Sequence, residues 1–414
     1  MPYTRKSQKS RFLHQLAIAA SLVGGVAGTA LGTSSSSCPV AAASCTEDKD
    51  AFTDEDSSLI QLVKPKDGLH VDGPEPRRRS NLTAGRVSYT YPAYQLNSSY
   101  KNPLCKKKRP FESELLSKIT NRRVRKWLTD LVNLPNSAKP SRSAVETDTS
   151  KAAVKYLKNK FESMGLATCG QNFAVSSGSY HGKNTNVIAY IPGSDPAAGS
   201  VTFGAHYDSR PYDSKAPGAD DNGSGVAAVL ATAMAYAKTQ APPEKSIYFV
   251  AFGAEEIGLW GSHAFVTALQ NHAVDLSKKC RPENGFPSGA DHRAITLDMV
   301  GWLSTNAEFP TPTLTLETKP WSTDVTEEVA QVSTDYNGDA LNLRVNTAPF
   351  GSDHMSFLNK NLHAMLAIHG DDMRYPAYHS SQDVLENTNQ KLMGMITRSC
   401  AGALMRIANI DIPC

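Results

Sequence analysis

Four short apolar runs in this chain each lead into an acidic residue or a histidine, and that pattern constrains the fold more than any bulk property. Ser200–Ala205 (SVTFGA) leads into His206, Tyr207 and Asp208. Ser246–Phe252 (SIYFVAF) leads through Gly253 and Ala254 into Glu255 and Glu256. Ala294–Leu297 (AITL) leads into Asp298, and Met365–Ile368 (MLAI) opens a loop that reaches His379. The runs are short, rich in β-formers and bounded by glycine or polar residues, as buried strands are. Strands lying parallel in an open sheet gather ligands beyond their carboxyl ends. The runs, with the glycine-rich turn Pro217–Gly225 (PGADDNGSG) between the first two, would then bring their acids and histidines to one rim.

From residue 185 onward, strand and helix patterns alternate. Strands are expected at 185–191, 200–206, 246–252, 293–298 and 363–369. Helices are expected at 223–238, 259–271, 323–336 and 389–408, preceded by amphipathic stretches at 111–134 and 147–165. Such alternation implies βαβ units. The expected fold class is α/β, with a mostly parallel, mixed central sheet covered by helices on both faces, in one catalytic domain over residues 111–414.

The first 110 residues read differently. Arg5, Lys6, Lys9 and Arg11 precede an apolar run from Leu16 to Leu31, followed by serines. That is the order of a secretory signal over 1–33, with a signal-anchor over 12–32 as the alternative. Residues 34–110, rich in Ser, Pro, Asp and Lys, read as a partly disordered leader. Lys106–Arg109 is a candidate processing site, against the plainer reading of a solvated linker. An exported protein, extracellular or periplasmic, is therefore expected, and Cys400 with Cys414 is one plausible disulfide among the seven cysteines. A net charge of +3 with only short basic runs gives no reason to expect a nucleic-acid partner.

The rim residues carry a chemistry. His206, Asp220, Glu256, Asp298 and His379 offer two imidazoles and three carboxylates. Zinc takes such N and O donors, and a pair of zinc ions needs a bridging carboxylate with further ligands on each side. Asp220 is the expected bridge, because its glycine-rich turn lets the backbone approach closely. His206 with Asp298 would serve one ion, and Glu256 with His379 the other. Glu255 would face a water and move its proton as general base. Asp208, two residues after His206, and Asp383, four after His379, could orient the two imidazoles. A phosphate on the Gly-Ser-Gly turn is the competing reading, but it leaves the Glu-Glu pair and His379 without a role.

At these residues the chain resembles the co-catalytic zinc aminopeptidases of the bacterial leucyl aminopeptidase type. Their wider family includes glutamate carboxypeptidases, glutaminyl cyclases and the transferrin-receptor ectodomain. Gly204–Ser209 (GAHYDS), Pro217–Gly225, Phe252–Ser262 (FGAEEIGLWGS), Leu297–Gly301 (LDMVG) and Tyr378–Asp383 (YHSSQD) follow the family's motif order. The resemblance implies two zinc ions, a bridge on Asp220 whose bond to Asp221 is often cis, Glu255 as base and Asp208 behind His206. It also places Ser352–His354 (SDH) near the site without binding metal. The implied partner is a peptide with a free N-terminus. Lys215 and Arg374 keep open a carboxypeptidase that recognises a terminal carboxylate. A glutaminyl cyclase and a non-catalytic, receptor-like module also stay open. Trp302, Trp321, Phe350, Tyr375 and Tyr378 are candidates for the substrate pocket.

Overall fold

The computed structural model describes residues 110–134, 142–210, 216–239 and 242–409. The expected export segment over 1–33, the leader over 34–110 (apart from Pro110), Lys215 and Cys414 lie outside the described residues. No helix among the described residues is long and apolar enough to cross a membrane.

Three helices come first: α1 (Pro110–Ser117), α2 (Asn121–Val132) and α3 (Asp148–Ser163). The single helix expected over 111–134 is two. Ile119 and Lys118 close α1 with bonds to Leu116 and Leu115 carbonyls, and Thr120 turns extended so that its side chain accepts from Arg123 N at 3.2 Å. A threonine cap of this kind starts a helix rather than continuing one. The remaining elements are β1 (Ala167–Ser177), β2 (Tyr180–Ile191), β3 (Ser200–His206), α4 (Gly225–Thr239), β4 (Ser246–Phe252), α5 (Trp260–Gln270) and β5 (His292–Leu297). They continue with β6 (Thr313–Glu317), α6 (Thr323–Asn337), β7 (Asn342–Asn346), α7 (His354–Leu358), β8 (His363–His369) and α8 (Gln390–Ile407).

The eight strands form one sheet in the order β1-β2-β4-β3-β5-β8-β6-β7. Its centre, β4-β3-β5-β8, is parallel throughout, whereas β1, β2 and the β6–β8 pairing are antiparallel. The mixed α/β sheet expected from the sequence is present, with the parallel quartet at its middle. β3 and β4 are buried along their whole length, which is why they read as continuous apolar runs rather than alternating ones.

Side chains still alternate between two cores. Ile247, Phe249 and Ala251 join Val201, Phe203 and Ala205 on one face, packed with α4 and α8. Tyr248, Val250 and Phe252 face the opposite core with Phe265 of α5 and Phe357 of α7. Each fully buried side chain of this size contributes roughly 1.5–3 kcal/mol of transfer free energy. α4 lies wholly inside the first core, buried from Gly225 to Tyr236, as a helix apolar on all sides must be. Gly204 permits a close approach across the second face: a Cβ there would lie 2.4 Å from the Phe252 ring.

A disulfide joins Cys169 of β1 to Cys280, and Cys400 is a buried free thiol inside α8. The pairing suggested for Cys400 is not seen among the described residues, where Cys400 is a buried free thiol.

Candidate metal centre and active site

The carboxyl ends of the parallel quartet supply the site. His206 is the last residue of β3, Glu255 and Glu256 follow β4, Asp298 follows β5, and His379 lies on the loop after β8. Ala254, Met299 and His379 have positive φ of 59°, 49° and 53°. Left-handed backbone costs a non-glycine residue about 1–2 kcal/mol. Here it occurs at or beside three of the rim residues, Glu255, Asp298 and His379.

The side chains meet in two pairs. His206 Nε2 lies 3.3 Å from Asp298 Oδ1, and His379 Nε2 lies 2.8 Å from Glu256 Oε2. These are the two terminal pairs expected from the sequence. The carboxylate between them belongs to Asp221: Oδ1 is 3.5 Å from His206 Nε2 and Oδ2 is 3.1 Å from His379 Nε2. Asp220 is not there. Its Oδ2 meets His369 Nε2 at 2.9 Å, and its Oδ1 accepts from Gly301 N at 2.6 Å. The residue between the two imidazoles thus lies one position after the one expected. The backbone leaves helical geometry at Asp221 and Asn222, sending the two adjacent carboxylates in opposite directions. The cis bond is likewise Asp221–Asn222, not Asp220–Asp221.

Supporting contacts also differ from those expected. His206 Nδ1 is 3.1 Å from the backbone carbonyl of Asp208, nearer than the 3.7 Å to the Asp208 carboxylate. That carboxylate instead accepts Glu255 N at 3.1 Å and Glu256 N at 3.2 Å. One buried acid thereby positions both glutamates, which two-residue spacing from His206 did not suggest. Asp383 does not orient His379. It accepts Asp220 N at 2.8 Å, Asp221 N at 2.9 Å and the Tyr375 hydroxyl at 2.7 Å, pinning the turn that carries Asp221.

Sequence reasoning missed Arg142. Its buried guanidinium donates to the carbonyls of Tyr207, Pro217 and Gly218, tying the first-histidine segment to that turn. No spacing marks it, since its partners are backbone atoms. Ser352 donates to Asp298 Oδ2 at 2.8 Å, which puts the SDH segment beside the site.

Electrostatics follow from crowding acids in a dry place. Burial raises Glu255 well above the usual carboxyl range, with His206 opposing and Asp298 and Glu256 adding to the rise. Burial and then Asp221 push Glu256 to about 8. Burial lowers His379, but bonds to Asp221 and Glu256 outweigh it and lift the imidazole to about 11. Burial also lowers His206, and Asp298 and Glu255 reverse that shift. Carboxylates that hold imidazoles so firmly cationic would hold a metal cation as well. The donor set fits zinc in a further respect: Glu256 Oε1 is buried without a hydrogen-bond partner. Two groups of ligand atoms cluster within 4.8 Å, His206/Asp221/Glu256 and His206/Glu255/Asp298.

A cavity of about 360 Å³ opens from this rim. Phe350, Tyr375 and Tyr378 line it, with Tyr378 stacked on His379 at 3.7 Å between centroids. Trp302 packs behind Tyr375 at 5.2 Å and Trp321 against His363 at 5.4 Å; neither lines the cavity. Arg374 pairs with Glu308 at 2.8 Å and Asp371 at 3.4 Å.

Fold and site together define an α/β protein with a cluster of imidazoles and carboxylates at its strand ends. Residues 186–404 match the model of peptidase family M28, more than half the chain, and the chain belongs to that family. Leupeptin-inactivating enzyme 1 of Streptomyces exfoliatus is 40% identical over 119 residues, 29% of this chain and 25% of that protein. Aminopeptidase YwaD of Bacillus subtilis is 32% identical over 191 residues, 45% of this chain and 36% of that protein. The chain thus spans well under half the length of either. Among solved structures, LapA of Legionella pneumophila superposes with a TM-score of 0.60 at 23% identity, over 75% of this chain and 79% of that one. That likeness concerns the fold.

Proposed function

We propose that this protein is a zinc-dependent aminopeptidase that releases N-terminal residues from peptides. The observation that carries the reading is Asp221, whose carboxylate stands between two imidazoles, each with its own terminal carboxylate. That is the donor count of a two-zinc centre: His206 and Asp298 on one ion, His379 and Glu256 on the other, Asp221 on both. Zinc bound there would lower the pKa of a water towards 7 and polarise the scissile carbonyl.

The chain's own residues supply the rest. Glu255, buried at the same rim with a raised pKa, takes the proton from the attacking water and passes it to the leaving amine. Asp208 holds the backbone of both glutamates, and Asp383 with Arg142 holds the turn that carries Asp221. The acidic rim suits a free α-amino group. A terminal carboxylate finds little there: Arg374 is already engaged by Glu308 and Asp371, and no lysine or arginine among the described residues lines the cavity.

The test is hydrolysis of leucyl peptides with free or acetylated N-termini by the zinc-loaded chain. Cleavage confined to free N-termini is expected. Cleavage of acetylated peptides, or conversion of glutaminyl peptides to pyroglutamate, would refute the reading.

A further inference from the structure

The cavity beside the proposed centre is not uniformly apolar. Met299, Leu366 and Ile368, all buried, form one wall. At the sheet edge, Glu317 of β6 pairs in register with Leu366 of β8, so an acid adjoins that apolar wall. Glu317 is 1% exposed, and each of its oxygens accepts one hydrogen bond: Oε1 from Asn346 Nδ2 at 3.0 Å and Oε2 from Phe350 N at 2.8 Å. A carboxylate has about four acceptor sites, so capacity remains on both oxygens. Asp372, on the loop after β8, lines the same cavity half-buried.

Two further features define this space. The cavity mouth carries large exposed apolar side chains, Phe350 at 42%, Met373 at 70% and Tyr378 at 46%. Its inner end carries the acids of the proposed centre, Asp221, Glu255, Glu256 and Asp298. A buried carboxylate at Glu317 with acceptor capacity left favours a cation, and the apolar wall beside it favours a long aliphatic arm.

We propose that this pocket selects N-terminal lysine and arginine, with the aliphatic stem against Met299, Leu366 and Ile368 and the cationic head received by Glu317 and Asp372. The inference rests on the aminopeptidase reading and specifies its substrate class. Burial raises Glu317, and Asp372 adds to that rise; a bound ammonium or guanidinium offsets both effects. An acidic N-terminal side chain would meet like charges and be disfavoured.

The experiment compares kcat/KM for the p-nitroanilides of lysine, arginine, norleucine, leucine and glutamate on the zinc-loaded full chain. Norleucine has the lysine arm without the ammonium, so the pair isolates the charge. Lysine is expected to exceed norleucine by about tenfold or more, as a buried charge contact allows. Glu317→Gln and Asp372→Asn should each lower the lysine-to-norleucine ratio severalfold. Taking the ratio within each variant cancels any general loss of folding or zinc. Norleucine equal to or above lysine in the wild type, or a ratio that neither substitution moves, overturns the assignment while leaving the aminopeptidase reading intact. Release of no residue from any of these substrates refutes the aminopeptidase reading, and this assignment with it.

Discussion

Asp208→Ala should damage the site without touching a proposed ligand. The Asp208 carboxylate is fully buried and accepts the amides of Glu255 and Glu256 at 3.1 and 3.2 Å. Removing it leaves two buried N–H donors unsatisfied, each costing about 1–3 kcal/mol. The sum, roughly 2–6 kcal/mol, is a large share of a typical domain stability of about 5–15 kcal/mol. Asp208→Asn is the gentler change, because one amide oxygen still accepts one N–H while the NH2 group opposes the other. It should lose about 1–3 kcal/mol in urea unfolding. Loosening the segment that presents both glutamates should also weaken zinc binding by roughly 10–100-fold, as loss of supporting partners does. Zinc affinity by competition with a chelating dye, beside the denaturation midpoint, separates the two effects. An Asp208→Asn protein with wild-type zinc affinity and turnover would refute the positioning role.

Glu255→Gln should retain zinc and lose turnover by about 10²–10⁴-fold, the usual worth of a general base; near-normal turnover would remove Glu255 from that role. A pH effect should arise far from the site. Burial pushes His292 down to about 4, and its Nδ1 lies 2.8 Å from the Ser200 hydroxyl. Its folded pKa lies below the unfolded value, so the unfolded chain binds more protons between them. The contribution is complete above pH ~6.5 and is lost as pH falls toward about 4, on the order of 3 kcal/mol. Urea midpoints measured over that window should fall with pH, and His292→Gln should flatten the fall; parallel curves for the two proteins would exclude His292 as a source.

Much of the fold was legible because its centre is buried on both faces. β3, β4, β5 and β8 announce themselves as apolar runs, and the histidines and acids of the candidate centre follow them. The outer strands were harder. β1 alternates with many exposed polar residues, and β6 and β7 are five residues each in polar, proline-flanked sequence, so their pairing depends on neighbours distant in the chain. At the site, residue type and order anticipated the contacts of His206 with Asp298 and of His379 with Glu256. The choice between Asp220 and Asp221 turned on backbone direction within one turn, which adjacent identical residues do not reveal. Arg142 and the true partners of Asp208 and Asp383 act through backbone atoms, which leave no mark on residue type.

The central claim is a two-zinc centre bridged by Asp221, and zinc per chain by elemental analysis tests it most directly. Wild type should hold about two zinc ions, Asp221→Ala about one or fewer, and folded Asp220→Asn the wild-type content. Full zinc content in Asp221→Ala, with zinc lost from folded Asp220→Asn, would return the bridge to Asp220. A wild-type protein that holds no more than one zinc would contradict the two-metal centre itself.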